Sequence, residues 1–217
     1  MHDAWGVRAS SANMTLAIVQ QSHTGVEFRY RLQATGIPAG SVVNLVAWPV
    51  TEREPAVVLK GVTFNDTGLA VCAGRPGTCG KPAKPDDPVE IPVHPSPGEP
   101  LRLGVVSPDG AVKAFAKIVP VPLQGEDKGC RVSAALLMPE AQLLFVEGTG
   151  LAPNSELSMA TDSEGERHDI AGNVDGHGRY VSALMPYKQG LMGGVVHIRL
   201  KAGGCSPTVI VPWGKRQ

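Results

Sequence analysis

The chain is poor in aromatic side chains and has no excess of charge of either sign. Aromatic residues make up 5% of the 217, and 20 basic side chains balance 20 acidic ones. Nucleic-acid-binding proteins and polybasic membrane binders rely on clustered positive charge, so the balance argues against both classes. No apolar run approaches the ~18 residues of a membrane span. We therefore expect no nucleic acid as a partner and no membrane span.

Motifs of catalysis and of cofactor binding are also missing from the sequence. There is no G-x-S-x-G nucleophile elbow, no G-x-x-x-x-G-K-[ST] phosphate loop and no G-x-G-x-x-G sequence that opens a helix. We expect no cofactor, and a binding function is favoured over an enzymatic one.

Glycine and proline, by contrast, are abundant, with 26 and 19 residues. Chains of this composition break into many short strands and turns. The apolar content of 42% argues against wholesale disorder. The composition thus favours a folded chain of short strands.

An internal repeat organises the chain. Gly36–Ser41 resembles Gly150–Ser155, and Asn65–Val71 resembles Asp175–Val181 in the same order. An I-V-P tripeptide closes both copies. Matching positions of the two copies are 110 residues apart at Asn65 and Asp175, but only 92 residues apart at these closing tripeptides. The first copy therefore carries an insertion after Val71, in a stretch that holds eight prolines.

Both copies contain alternating or β-branched runs separated by turn residues, the pattern of short strands. The predicted strands of the first copy are Met14–Val19, Val26–Ala34, Val42–Trp48, Val57–Phe64, Leu101–Val106 and Val112–Val119. Those of the second are Arg131–Leu137, Ala141–Gly148, Glu156–Ala160, Arg167–Ala171, Arg179–Leu184, Val195–Leu200 and Thr208–Val211. Such units are typical of antiparallel β-sandwiches. We predict one sandwich over residues 1–122 with an insertion at 72–100, a linker at 123–129, and a second sandwich over 130–217.

The repeated motifs resemble those of the immunoglobulin-like modules of exported bacterial proteins. They are the G-[IL]-x-x-x-S turn, the turn and strand around Asp175 and its counterpart Asn65, and the closing I-V-P. The resemblance implies an all-β fold of two tandem immunoglobulin-like antiparallel β-sandwiches. It implies no particular activity, because a fold does not dictate function.

Four cysteines favour two disulfides and an oxidising compartment, although a zinc site or inert thiols remain alternatives. Cys72 and Cys79 are predicted to pair locally. In immunoglobulin-like sandwiches the first and last strands often run side by side in parallel, which predicts a bond between Cys130 and Cys205. The polar segment Met1–Ser11 lacks the hydrophobic core of a signal peptide, so an exported protein would begin here after its cleavage site.

Histidines and acidic residues of the second copy form a candidate metal or catalytic site. In the alternative interpretation, His177 occupies an ordinary turn and the other histidines decorate strands. The candidate residues are His168, Asp169, Asp175, His177 and His197.

Candidate binding residues lie in the insertion and near the C-terminus. Prolines hold a long loop in an extended shape, and such loops on β scaffolds often carry binding residues. In the alternative interpretation, the insertion covers a sheet edge against unwanted pairing. Trp213 or Trp5 is a candidate surface anchor. The charged candidates of the insertion are Arg75, Lys81, Lys84, Asp86 and Asp87.

The favoured function is a non-catalytic binding, adhesion or assembly protein, secreted, periplasmic or at the cell surface. Its expected ligand is a protein or a polysaccharide. One alternative is a small hydrolase or metalloenzyme using His168, Asp169, His177 and His197. Another is a carbohydrate-binding module, since exposed aromatic side chains hold sugar rings in many sandwiches.

Overall fold

Two units, each built from two antiparallel sheets, make up the protein. The computed structural model describes residues 10–50, 54–73, 87–138 and 143–214, and all regular elements in these ranges are β-strands. The predicted all-β fold of two tandem immunoglobulin-like antiparallel sandwiches is confirmed.

The first unit comprises the chain up to Pro95 together with Leu101–Pro120. Its strands are β1 (Thr15–Thr24), β2 (Glu27–Thr35), β3 (Val43–Pro49), β4 (Ala56–Phe64), β5 (Ala70–Cys72), β6 (Ile91–Val93), β7 (Leu101–Val106) and β8 (Lys113–Ile118). One sheet has the order β1-β2-β6 and the other the order β5-β4-β3-β7-β8.

Alternation along these strands sends one set of side chains between the sheets of the first unit. Tyr30 and Ile91 from one sheet share a fully buried cluster with Leu45, Leu103 and Val105 from the other. Burial also raises the pKa of the Tyr30 hydroxyl to about 12.

The second unit comprises Ser96–Pro100 and the chain from Val121 onward. Its strands are β9 (Leu123–Asp127), β10 (Cys130–Leu136), β11 (Leu144–Thr149), β12 (Glu156–Ser163), β13 (Glu166–Asn173), β14 (Tyr180–Leu184), β15 (Gly193–Ala202) and β16 (Thr208–Gly214). The sheets have the orders β14-β11-β10-β9 and β13-β12-β15-β16. Leu144 and Val146 pack with Met159, Ile198 and Leu200 in the core between them.

The two units share one strand arrangement. β10-β11-β14 matches β1-β2-β6, and β13-β12-β15-β16 matches β4-β3-β7-β8. The equivalent strands also follow the same order along the chain. The repeat in the sequence thus corresponds to a repeated topology.

The linker prediction for residues 123–129 is wrong. Most of this segment is strand β9, which pairs with β10 from Cys130 opposite Asp127 to Ala134 opposite Leu123. The glycine that suggested a linker is instead required by a close contact of the strand with Thr208. A Cβ built on Gly125 would lie 1.8 Å from the Thr208 carbonyl oxygen, so the glycine permits the approach.

The predicted bounds of the insertion, 72–100, are also wrong. Ile91–Val93 is strand β6, which pairs with β2 and completes the first sheet. Pro92 argued against a strand in the sequence, but proline is tolerated on an edge strand such as β6. Further along, Gly98 belongs to the second unit, where its N–H donates to the Val121 carbonyl at 2.7 Å and its carbonyl accepts from Leu136 at 2.8 Å.

Candidate functional site

The outer face of sheet β13-β12-β15-β16 carries a groove lined by charged side chains. In the strand register Asp162 on β12 lies opposite Arg167 on β13 and His197 on β15. Two residues along, Ala160 lies opposite Asp169 and Arg199. Because side chains alternate along a strand, these residues share one face. The groove has a volume of about 480 Å³, and Thr208 of β16 completes its lining.

Arginines hold the polar groups of this groove in place. The Arg167 Nε donates to Asp162 Oδ2 at 2.8 Å, and the Gly165 N–H donates to Asp162 Oδ1 at 2.9 Å. The hydrogen bond from Arg167 is the largest influence that holds the pKa of the Asp162 carboxyl below its usual value. On the far side Arg199 Nε donates to the Thr208 hydroxyl at 3.3 Å. The groove therefore presents a fixed carboxylate beside Arg167, with Arg199 one row away.

His168 and Asp169, the adjacent candidates, lie on alternate sides of β13. The His168 Nε2 is 3.0 Å from a carboxylate oxygen of Glu166, two residues away on the same side. Asp169 faces Ala160 and Arg199 across the sheet instead. The strand thus separates two residues that are neighbours in sequence.

Asp175 and His177 lie in the turn that follows the far end of β13, roughly 13 Å or more along the strand from Asp169. Asp175 Oδ1 accepts the N–H groups of His177 and Arg179, each at 2.9 Å. These bonds, with that from Arg179 the larger influence, hold the pKa of Asp175 below its usual value. The carboxylate of Asp175 therefore stabilises the turn through these backbone hydrogen bonds.

Three of the five candidates, His168, Asp169 and His197, line the groove, whereas Asp175 and His177 lie in a separate turn, so the five do not converge on one point. Across residues 10–50, 54–73, 87–138 and 143–214, no group of three or more His, Cys, Asp or Glu side chains has an arrangement that could hold a metal ion. The geometry gives no support to a metalloenzyme built on His168, Asp169, His177 and His197.

Trp213 is not a surface anchor. Its side chain is 6% exposed and belongs to the core of the second unit, packed among residues such as Val196 and Val211. It lies on β16 opposite Gly194 and alternates inward with the buried positions. The prediction failed because the closing strand runs past Val211 to Gly214. Trp5, the other candidate, lies outside the described residues.

Most charged candidates of the insertion, Arg75, Lys81, Lys84 and Asp86, lie outside the described residues, and their role stays a prediction. Asp87 is described and exposed.

The described ends of the insertion lie along a sheet edge. β5 pairs with β4, with Cys72 opposite Val62 and Ala70 opposite Phe64. The Val89 N–H donates to the Ala70 carbonyl at 3.0 Å. Glu90 is held on β2 by Arg31 Nη2 at 2.9 Å. The contact of Val89 with Ala70 matches the alternative interpretation, in which the insertion covers a sheet edge, here that of β5.

The predicted disulfide between Cys130 and Cys205 is confirmed. Their Cα atoms are 6.2 Å apart, and the bond joins the start of β10 to the segment just before β16. Cys72 is buried on β5, while Cys79 lies outside the described residues, so their pairing stays a prediction.

Sequence reasoning missed Asp162, Arg167, Arg199 and Thr208 as groove residues. The polar turn Ser163-Glu164-Gly165-Glu166 contains a signal that was available, since a glycine in a two-residue connection indicates a tight hairpin. Extending the alternation of Glu156–Ala160 into that hairpin would have placed Asp162 opposite Arg167.

Comparison with protein-family models and with characterised proteins finds no match. Among solved structures, the chain is similar to a tetra-tandem repeat in the extending region of a large adhesion protein. The two are 16% identical with a TM-score of 0.30, and the match covers 92% of this chain. This chain spans about half, 48%, of that structure's length. No helix in the described ranges is long and apolar enough to cross a membrane.

Proposed function

We propose that this protein is a non-catalytic, extracytoplasmic binding protein of the adhesion or assembly type. The observation that carries the proposal is the charged groove on the outer face of the second unit. Neighbouring strands hold its side chains in register, so the face is organised before a ligand arrives, which lowers the ordering cost of binding.

The chemistry of the groove suits a polar, charged ligand. A carboxylate, Asp162, lies between Arg167 and His197, and Arg199 follows one row away. Both bonds from Arg167 and Gly165 hold Asp162 as an anion, which fits electrostatic recognition better than proton transfer. We expect the ligand to be a protein surface or a polysaccharide with charged groups.

The disulfide supports the extracytoplasmic placement. Such bonds persist in oxidising compartments and are rare in the cytosol. Here the bond joins positions 75 residues apart in the second unit.

Binding to arrayed polysaccharides and immobilised extracellular proteins tests the proposal. The double variant His197→Ala, Arg199→Ala should weaken saturable binding at least about tenfold, since contacts to charged groups contribute roughly 1.5–3 kcal/mol each. Lys201→Ala, also exposed on β15 but outside the groove, is the matched control and should bind as the unaltered protein does. Equal loss in both variants, or loss in neither, would contradict binding through the groove.

A further inference from the structure

Strand β13 leaves one long edge of the second unit open. It is the terminal strand of its sheet and pairs with β12 alone within the described parts of the chain. Seven of its eight residues are exposed, and Gly172 is half-buried. An edge of this kind presents unpaired backbone groups to which another strand can add.

The turn between β12 and β13 determines which backbone groups point outward. It is a two-residue connection in which Glu164 and Gly165 both have positive φ, 51° and 83°. Such a turn is closed by a hydrogen-bonded pair, here Ser163 with Glu166. Because bonded residues alternate along an antiparallel strand, the N–H and C=O groups of Arg167, Asp169 and Ala171 point away from β12.

In the first unit the equivalent edge, that of β4, is covered by a further strand. There β5 pairs with β4, and the Ala73 N–H donates to the Gly61 carbonyl at 3.3 Å. In the second unit the connection from β13 to β14 is fully described and runs through the turn at Asp175 without adding a strand to the edge. The edge that one copy covers is therefore open in the other.

We propose that the β13 edge is a homotypic assembly site, at which β13 of a second copy pairs antiparallel across a two-fold axis. In the proposed register His168 lies opposite His168 of the second copy. Arg167 then lies opposite the second copy's Asp169, and Asp169 opposite its Arg167, on the face that carries the groove. These are the outward-pointing residues, so each pair also exchanges its backbone hydrogen bonds.

The positions of Arg167 and Asp169 on β13 favour a second copy of this chain as the partner and favour this register over its neighbours. Moving the two-fold axis by one residue, from His168 to Asp169, would set Asp169 against its own copy, which is destabilising for like charges in direct opposition. A register centred on Ile170 would place Arg167 opposite Asn173 and leave both ion pairs unmade. Charged residues usually protect an edge against pairing. On β13, however, an Arg and an Asp lie two residues apart. When two copies of the strand pair antiparallel, the Arg of each copy meets the Asp of the other, so these charges favour association with a second copy.

The proposal goes beyond ligand binding in the groove and is tested separately, by sedimentation equilibrium of the full, disulfide-bonded chain over a concentration series. The unaltered chain should form dimers that weaken as salt is raised, since the ion pairs are exposed. The single variants R167D and D169R each place like charges opposite one another and should raise the dimer dissociation constant at least about tenfold.

Two further samples separate lost pairing from misfolding. The double variant R167D/D169R restores opposite charges in both pairs across the proposed interface, although it loses the bond to Asp162 within the chain, and should dimerise more tightly than either single variant. An equimolar mixture of the two single variants should form heterodimers, because one carries two acidic and the other two basic residues at these positions. K201D, a charge reversal on β15 away from the edge, is the control and should dimerise normally.

A chain that stays monomeric at the highest concentration would overturn the proposal. So would dimers that are indifferent to the single variants, or a double variant and mixture that fail to restore association. A dimer formed through any other surface would give the second of these results.

Discussion

Asn65 and Asp175 perform the same task in the two copies of the repeat. Asn65 Oδ1 accepts the N–H groups of Thr67 and Leu69 at 3.1 and 2.9 Å. Asp175 Oδ1 accepts those of His177 and Arg179, both at 2.9 Å. One side-chain oxygen thus closes each turn, and an amide serves as well as a carboxylate.

This equivalence predicts a difference in the acid response of position 175. The pKa of Asp175 is lower in the folded protein than its ordinary value, so its stabilisation is present above the unfolded pKa and is lost as pH falls through the folded value. Asp175→Asn should fold normally with a shallower loss of stability in acid, and Asp175→Ala should lower Tm by a few degrees at neutral pH. Thermal unfolding from pH 7 to pH 3 measures both. An Asn variant as unstable as the Ala variant would contradict a shared role with Asn65.

Removing the Cys130–Cys205 bond should destabilise the second unit. Closing a loop of this length contributes about 4 kcal/mol in the chain-entropy description. The variant Cys130→Ser, Cys205→Ser should therefore unfold at lower denaturant concentration, as followed by tryptophan fluorescence, to which the buried Trp213 contributes. Reductant should shift the unaltered protein in the same direction and leave the transition of the Ser variant unchanged. Identical midpoints for the two proteins would show that the bond contributes nothing.

The contact between β9 and β16 predicts a large response to a small side chain. Gly125→Ala would place a methyl group 1.8 Å from the Thr208 carbonyl oxygen, against backbone that has little freedom to move. We expect a loss of about 1–3 kcal/mol in the free energy of unfolding. Gly204→Ala is the matched control, since nothing lies within 4 Å of its Cβ position. Equal stability of the two variants would show that Gly125 does not approach the Thr208 carbonyl closely.

Cys72 and Cys79 are expected to form a local disulfide. Mass spectrometry of an unreduced digest should find one peptide pair joined through these residues and a second joined through Cys130 and Cys205. Free thiols at both positions in protein produced under oxidising conditions would contradict the local pairing.

The part of the insertion that can be removed without altering the sandwich lies between strands β5 and β6. Replacing Gly74–Asp86 with a short Gly/Ser turn keeps β5 and β6, whereas a cut that included Ile91 would remove a fully buried side chain. If the charged residues of the loop recognise the ligand, the shortened protein should stay folded and lose binding at least about tenfold, as expected for contacts to charged groups. Unchanged binding, together with a tendency to associate at high concentration, would show instead that the segment covers the sheet edge at β5.

The repeat made the fold predictable from sequence, because matched turns such as Gly36–Ser41 and Gly150–Ser155 fix where strands begin in both copies. The errors arose where a strand lacks its usual pattern. β9 holds one apolar residue, Leu123, and β6 contains Pro92, which only an edge strand tolerates.

The candidate site was harder to predict because it depends on strand register. His168 and Asp169 are adjacent in sequence but alternate across β13, while Asp162 and His197 are distant in sequence and meet across β12 and β15. Cross-strand partners of this kind are determined by the pairing of β12 with β15, which no local motif encodes.

The Cys130–Cys205 bond has a mechanical consequence for a protein pulled by its two ends. Force that enters the second unit near β9 and leaves through β16 would pass through the disulfide, because the bond bridges the start of β10 and the approach to β16. The 75-residue segment between the cysteines is then shielded from extension. At about 3.4 Å per residue, roughly 250 Å of chain stays out of reach of the load. Under tension, the second unit would yield only a few strands' length before the covalent link takes up the force.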